Sequence, residues 1–186
     1  MKKLLLLSLL SLFIFSCSNT STFTLEATTD HENDLKVLLI KIGDDNRPKA
    51  IDSTNVFEGK FSFSDSIAIP EMHYIVFDKQ RENLPVVLEP GKITIKIYKD
   101  SIKASKVSGT KSNLDFAMYM NETTDLYTEL SKIQFEIRSA NIERDSMVVD
   151  DLNDQFESMK TKLTDYELNF IKVNNDSYLS TLILQR

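Results

Sequence analysis

The chain has 186 residues, 22 basic and 28 acidic side chains, and a net charge of −6. That balance excludes the basic patch that phosphate binding and counterion release require, so nucleic acid is not expected as a partner. One cysteine, Cys17, allows no internal disulfide and no Cys-x-x-Cys exchange chemistry.

The chain opens with Lys2 and Lys3, an apolar and serine run over residues 4–15, and then Ser16-Cys17-Ser18. A positive start, a short apolar stretch and a small residue before a cut are the parts of a secretory signal. The run is shorter than the roughly 20 apolar residues that cross a bilayer. Residues 1–16 are therefore read as a signal peptide and set apart from the fold. Ile14-Phe15-Ser16-Cys17 resembles the lipobox of bacterial lipoproteins. The resemblance implies that Cys17 is lipidated and becomes the first residue of the mature chain, with residues 17–22 as a polar tether. It implies membrane attachment through a lipid anchor and a place in the cell envelope. Ser18-Asn19-Thr20-Ser21-Thr22 contains no acid, which for lipoproteins of the resembling bacteria points to the periplasmic face.

Over residues 23–111 the hydrophobic period is two, which predicts strands. Phe23, Leu25 and Ala27 alternate; Val37-Leu38-Leu39-Ile40 suits a strand covered on both faces. Asp44, Asn46 and Pro48 mark a turn, and Phe61 and Phe63 after Glu58-Gly59 read as a hairpin with the preceding strand. Apolar runs over 72–77, 84–88 and 93–98 follow, the last two joined by Glu89-Pro90-Gly91. About eight short strands at this spacing predict an antiparallel β-sandwich or barrel.

Near Gly109 the period lengthens. Phe116, Tyr119, Thr123, Leu126, Leu130, Ile133 and Ile137 are spaced alternately three and four apart, with Asn113 as a plausible N-cap. Val149, Leu152, Phe156, Met159, Leu163, Tyr166 and Phe170 repeat the pattern. Two such stripes bury each other if the chain folds back near residues 139–144, which predicts a long antiparallel helical hairpin over 112–174. Residues 175–186 read as the start of a C-terminal helix, capped by Asp176 and too short to be stable without a packing partner. The fold class is thus α+β.

Ile51-Asp52-Ser53, Glu58-Gly59-Lys60-Phe61-Ser62-Phe63, Pro70 with Tyr74, Val87-Leu88-Glu89-Pro90-Gly91, and Val107-Ser108-Gly109-Thr110 with Asn113 resemble an uncharacterised N-terminal module. It occurs in thioredoxin-family lipoproteins of Bacteroidota, ahead of a TlpA- or AhpC-like redox domain. Phe170-Ile171-Lys172 and Asn174 to Tyr178 resemble the link into that domain. In such relatives the redox cysteines belong to the domain beyond the link. The resemblance therefore implies a truncated relative or an accessory protein, and carries redox activity to no residue here.

The expected function is a non-catalytic, membrane-anchored envelope module that docks or positions a thiol–disulfide redox partner, with an envelope thioredoxin-like protein or a second copy as partner. The alternative is a lipoprotein that binds a small ligand, glycan or peptide, with His73, Tyr74, Phe77 and Tyr98 the residues of interest. No cofactor or metal is expected, because His31 and His73 lie in no ligand spacing. An enzyme is disfavoured, since no nucleophile and base pair can be named. Globomycin is expected to accumulate the uncut precursor, and Cys17→Ala is expected to abolish palmitate labelling; continued labelling of that variant would remove the lipoprotein reading.

Overall fold

A computed structural model describes residues 21–78, 80 and 82–185. The expected lipidation site Cys17 lies outside the described residues. Eight strands form two four-stranded sheets, followed by two long helices and a short one. The strands are β1 (Thr22–Thr29), β2 (Lys36–Ile42), β3 (Pro48–Asn55), β4 (Lys60–Ser66), β5 (Glu71–Phe77), β6 (Asn83–Leu88), β7 (Gly91–Ile97) and β8 (Lys106–Ser108). The helices are α1 (Lys111–Glu143), α2 (Ser146–Val173) and α3 (Tyr178–Leu184).

The first sheet has the order β4-β1-β7-β8 and the second β3-β2-β5-β6. They stack as a sandwich and do not close into a barrel, because hydrogen bonding stops at an edge of each sheet rather than running on into the other. Period-two alternation decides what lies between them. Phe23, Leu25, Phe61, Phe63, Ile93 and Ile95 face inward from the first sheet; Val37, Leu39, Ile75, Phe77, Val86 and Leu88 face them from the second. Leu38 and Ile40, on the opposite face of β2, are only half-buried, so the strand expected to be covered on both faces is sealed on one.

Two local readings change once pairing is visible. A tight turn at Glu58-Gly59 is closed by reciprocal Phe57 and Lys60 backbone bonds of 2.8 and 2.9 Å, but β3 and β4 then enter different sheets. Likewise, β6 and β7 part company at Glu89-Pro90. In place of a wholly antiparallel sandwich, β1 pairs antiparallel with β4 and parallel with β7.

The helical hairpin forms as its stripes require. Ile133, Ala140 and Leu152 are buried with Ile137, Val149 and Phe156 packed around them. Nearer the sandwich, Tyr119, Phe170, Leu179 and Ile183 form a second cluster that gives α3 its packing partner. Arg144 ends α1 in a left-handed conformation, φ 61°. Asp145 opens α2, its carboxylate accepting the Val148 amide at 3.2 Å. At 1.5 Å per residue, α1 is about 50 Å long.

Asn113 is not the N-cap of α1. Thr110 holds that position, and Asn113, one turn inside, is buried against β6. Its Oδ1 accepts the Val87 amide at 2.9 Å, while its Nδ2 donates to the Val87 carbonyl at 2.7 Å and to Thr110 Oγ1 at 2.8 Å. One side-chain amide therefore completes both backbone groups of a residue on an edge strand. Beside it, the Glu89 carboxylate accepts the Ser112 amide at 2.8 Å and the Ser112 hydroxyl at 2.6 Å, placing negative charge at the helix N-terminus. Gly109 makes the approach possible: its φ is +106°, and a Cβ there would lie 2.3 Å from the Lys92 carbonyl oxygen. The start of α3 also differs from expectation. Ser177 caps it, accepting the Leu179 amide at 3.2 Å, whereas Asp176 pairs with Lys111 at 3.3 Å.

Asn113→Ala is expected to strand the Val87 amide and carbonyl and to cost about 2 kcal/mol or more in urea unfolding. An Asn113→Ala chain as stable as the parent would refute this role. Gly109→Ala is expected to destabilise by a comparable amount.

Candidate functional site

The outer faces of the two sheets differ in chemistry. On the first sheet, Thr24, Glu26, Ser62, Ser64, Lys92 and Thr94 share the face opposite the buried residues, with Lys92 and Glu26 paired at 2.8 Å. This is the polar exterior that a sandwich presents to water. On the second sheet the register sets Leu38 beside Val76 and Ile40 beside Tyr74, with Met72 on β5 and Pro85 and Val87 on β6 at the same parity. Val87 is buried beneath the start of α1; the others are only half-buried. The second sheet thus carries a contiguous apolar patch on the outer face of β2, β5 and β6.

Helices α1 and α3 enclose the edge of this face and leave a groove of about 750 Å3, walled by Met72 and Tyr74 from β5, Met120, Thr124 and Thr128 from α1, and Leu179 and Leu182 from α3. At one side, Glu167 Oε1 accepts the hydroxyls of Tyr119 at 2.6 Å and Tyr127 at 2.9 Å, tying α1 to α2. Tyr119 also packs edge-on against Phe170, with ring centroids 5.6 Å apart. A second groove of about 680 Å3 adjoins the first and includes Ile42, Ile69, Pro70 and Tyr178. There the Tyr178 hydroxyl accepts the Met72 amide at 3.2 Å and pins α3 to β5.

Of the four residues singled out from sequence, one lies at a groove. Tyr74 borders both grooves. Phe77 is closed inside the sandwich, stacked on His31 with centroids 4.0 Å apart. Tyr98 follows β7 and lies under the Lys96 ammonium at 5.2 Å. His73 is 3% exposed and sits at the end of the core on the face opposite Tyr74. The arrangement thus separates the four rather than gathering them. The groove is otherwise lined by Phe116 and Tyr119 of the predicted helical stripe and by residues such as Met120, Thr124, Thr128 and Leu179, which no sequence motif distinguishes from ordinary helix surface. Among the described residues, no group of three or more His, Cys, Asp or Glu side chains converges as a metal site would require.

His73 Nδ1 lies 3.1 Å from the Glu71 carbonyl, and its Nε2 is 3.9 Å from the Glu71 carboxylate, which Lys41 holds at 2.8 Å. Burial pushes the imidazole below its ordinary pKa, opposed by the hydrogen bond and charge of Glu71 and assisted by Lys41. The unfolded chain then binds a proton more readily than the folded one. The contribution of neutral His73 to stability is complete above about pH 6.5 and is lost as pH falls from there through the lower folded value, at a slope of at most about 1.4 kcal/mol per unit. His73→Gln is expected to flatten that part of a denaturation series between neutral and mildly acid pH. An unchanged slope would show that His73 is not the group responsible.

No curated protein matches the chain. The family model described as a domain of unknown function (DUF4369) matches residues 23–116. That segment runs from β1 through the Asn113 joint into the first turns of α1 and makes up just over half of the chain. The sandwich and the helix start that clamps its edge are therefore a family unit, and the chain belongs to the DUF4369 family.

Proposed function

We propose that this chain is a non-catalytic module, held on the periplasmic side of a membrane by lipid on Cys17, that docks and positions a thiol–disulfide redox partner. The observation that carries this reading is the difference between the two outer faces, polar on the first sheet and apolar on the second around Leu38, Ile40 and Val76. A sandwich that only needed to fold would gain nothing by exposing that surface, whereas a domain seated on it would remove it from water. Support for a thioredoxin-like domain as the occupant comes from motifs that resemble those of envelope redox lipoproteins. Two of them, Val87-Leu88-Glu89-Pro90-Gly91 and Gly109-Thr110 with Asn113, form the joint that aims the helices. In this reading the first sheet faces solvent, the second faces the partner, and the hairpin fixes its orientation.

A photo-cross-linking residue at Ile42, which is 42% exposed at the margin of the apolar face, is expected to trap a thioredoxin-like envelope protein identifiable by mass spectrometry of the adduct. Ile40→Asp in the same chain is expected to lower that yield about tenfold, as removal of a central apolar contact does. Adducts that contain only other proteins, or a yield indifferent to Ile40→Asp, would overturn the proposal.

A further inference from the structure

Helix α1 carries a second seam on a face that α2 leaves uncovered. Met120, Thr124, Thr128, Ser131, Phe135, Arg138 and Ile142 recur at three- and four-residue steps and are all exposed. Helical geometry places them on one side and the acids Glu122, Asp125, Glu129 and Glu136 on another. Arg138 is the one charge on the seam. The hydroxyls of Thr124, Thr128 and Ser131 donate to the carbonyls of Met120, Thr124 and Tyr127. Their polar atoms are thereby satisfied within the helix, and the seam offers mainly carbon to whatever lies against it.

The two ends of the seam differ in the size of their side chains. Past Met120, the seam residues that border the groove, Thr124, Thr128 and Ser131, are small; towards the tip, Phe135 is 65% exposed and Ile142 83% exposed. Reversing the helix makes this size order its own complement. About a midpoint between Thr128 and Ser131, Phe135 falls opposite Thr124, Ile142 opposite Ala117, and Arg138 opposite the uncharged Asn121. We propose that the seam is a two-fold dimer interface in which a second copy lies antiparallel along α1, the large distal side chains of each copy entering the groove of the other. A two-fold contact uses the same surface on both copies. It therefore covers both grooves and both tips at once. Large side chains over small ones let the helices interlock. The groove shares Met72 and Tyr74 with the apolar face of the docking reading, but the seam itself lies on α1, and changes at Phe135 and Thr124 leave Leu38 and Ile40 as they are.

The full chain is expected to sediment as a dimer at tens of micromolar. Phe135→Glu is expected to weaken association by about 30-fold, the effect of losing a central aromatic anchor. Thr124→Arg added to it is expected to restore the dimer, because the introduced guanidinium of one copy then meets the introduced carboxylate of the other across the axis. In a Cys17→Ala background, mixing Thr124→Cys chains with Phe135→Cys chains is expected to give a disulfide-linked pair. Either chain alone should not, because like positions then lie about 16 Å apart along the axis. A monomeric parent chain, a dimer indifferent to Phe135→Glu, or equal cross-linking by either cysteine alone would overturn the interface.

Discussion

Everything beyond the sandwich takes its direction from one side-chain amide. An edge strand ends a sheet with donors and acceptors that have no neighbour, and β6 is such an edge. Asn113 offers a carbonyl and an N–H on one planar group, the same pair that a further strand would have offered to Val87. Because α1 supplies that group from its first turn, completing the edge and fixing the helix become a single event. Glu89 reinforces the joint from the strand side, and Gly109 allows the backbone to pass close to Lys92. The hairpin consequently leaves the sandwich at one defined angle, and the groove between β5, α1 and α3 is the space that this angle leaves open.

The same joint accounts for the unequal treatment of the two sheets. The first sheet is solvated across its outer face, and its threonines, serines and paired charges need nothing further. The second is apolar on both faces along β2, β5 and β6: α1 covers Val87, α3 is pinned over Met72 through Tyr178, and the covering stops short of Leu38 and Ile40. Partial covering leaves an apolar surface in place beside the helical walls.

Much of the fold was legible because period reports face. Phe61 and Phe63 against Lys60, Ser62 and Ser64 identified β4, and the alternating three- and four-residue spacing of Phe116 to Ile137 identified the seam towards α2. Period does not report neighbour, however. Nothing in the alternation of β1 reveals that one of its edges meets β4 and the other meets β7, nor that the turn at Glu58-Gly59 passes the chain from one sheet to the other. On β5, His73, Ile75 and Phe77 alternate with Met72, Tyr74 and Val76, so both faces are apolar enough to be read as core. Only the packed sheets show that Tyr74 faces outward while His73 and Phe77 do not. Asn113 suits a helix cap by residue type; Thr110, directly after Gly109, was the better signal for the helix start. The seam with Thr124, Thr128 and Ser131 is hidden in the sequence because hydroxyl residues count as polar until their bonds to the helix carbonyls are seen.

The parallel pairing of β1 with β7 bears on the order in which the molecule takes shape. Antiparallel neighbours can close through a short turn, but β1 must hold its register with residues 91–97 across an intervening stretch that contains five other strands. Loop-closure entropy delays such a contact until the chain between has been drawn together. As the polypeptide emerges from N to C, its first strand therefore waits without its central partner, while β2 and β3, joined by a five-residue turn, can already pair. The second sheet, antiparallel throughout, is thus built from contacts closer along the chain than the β1–β7 pairing that completes the first.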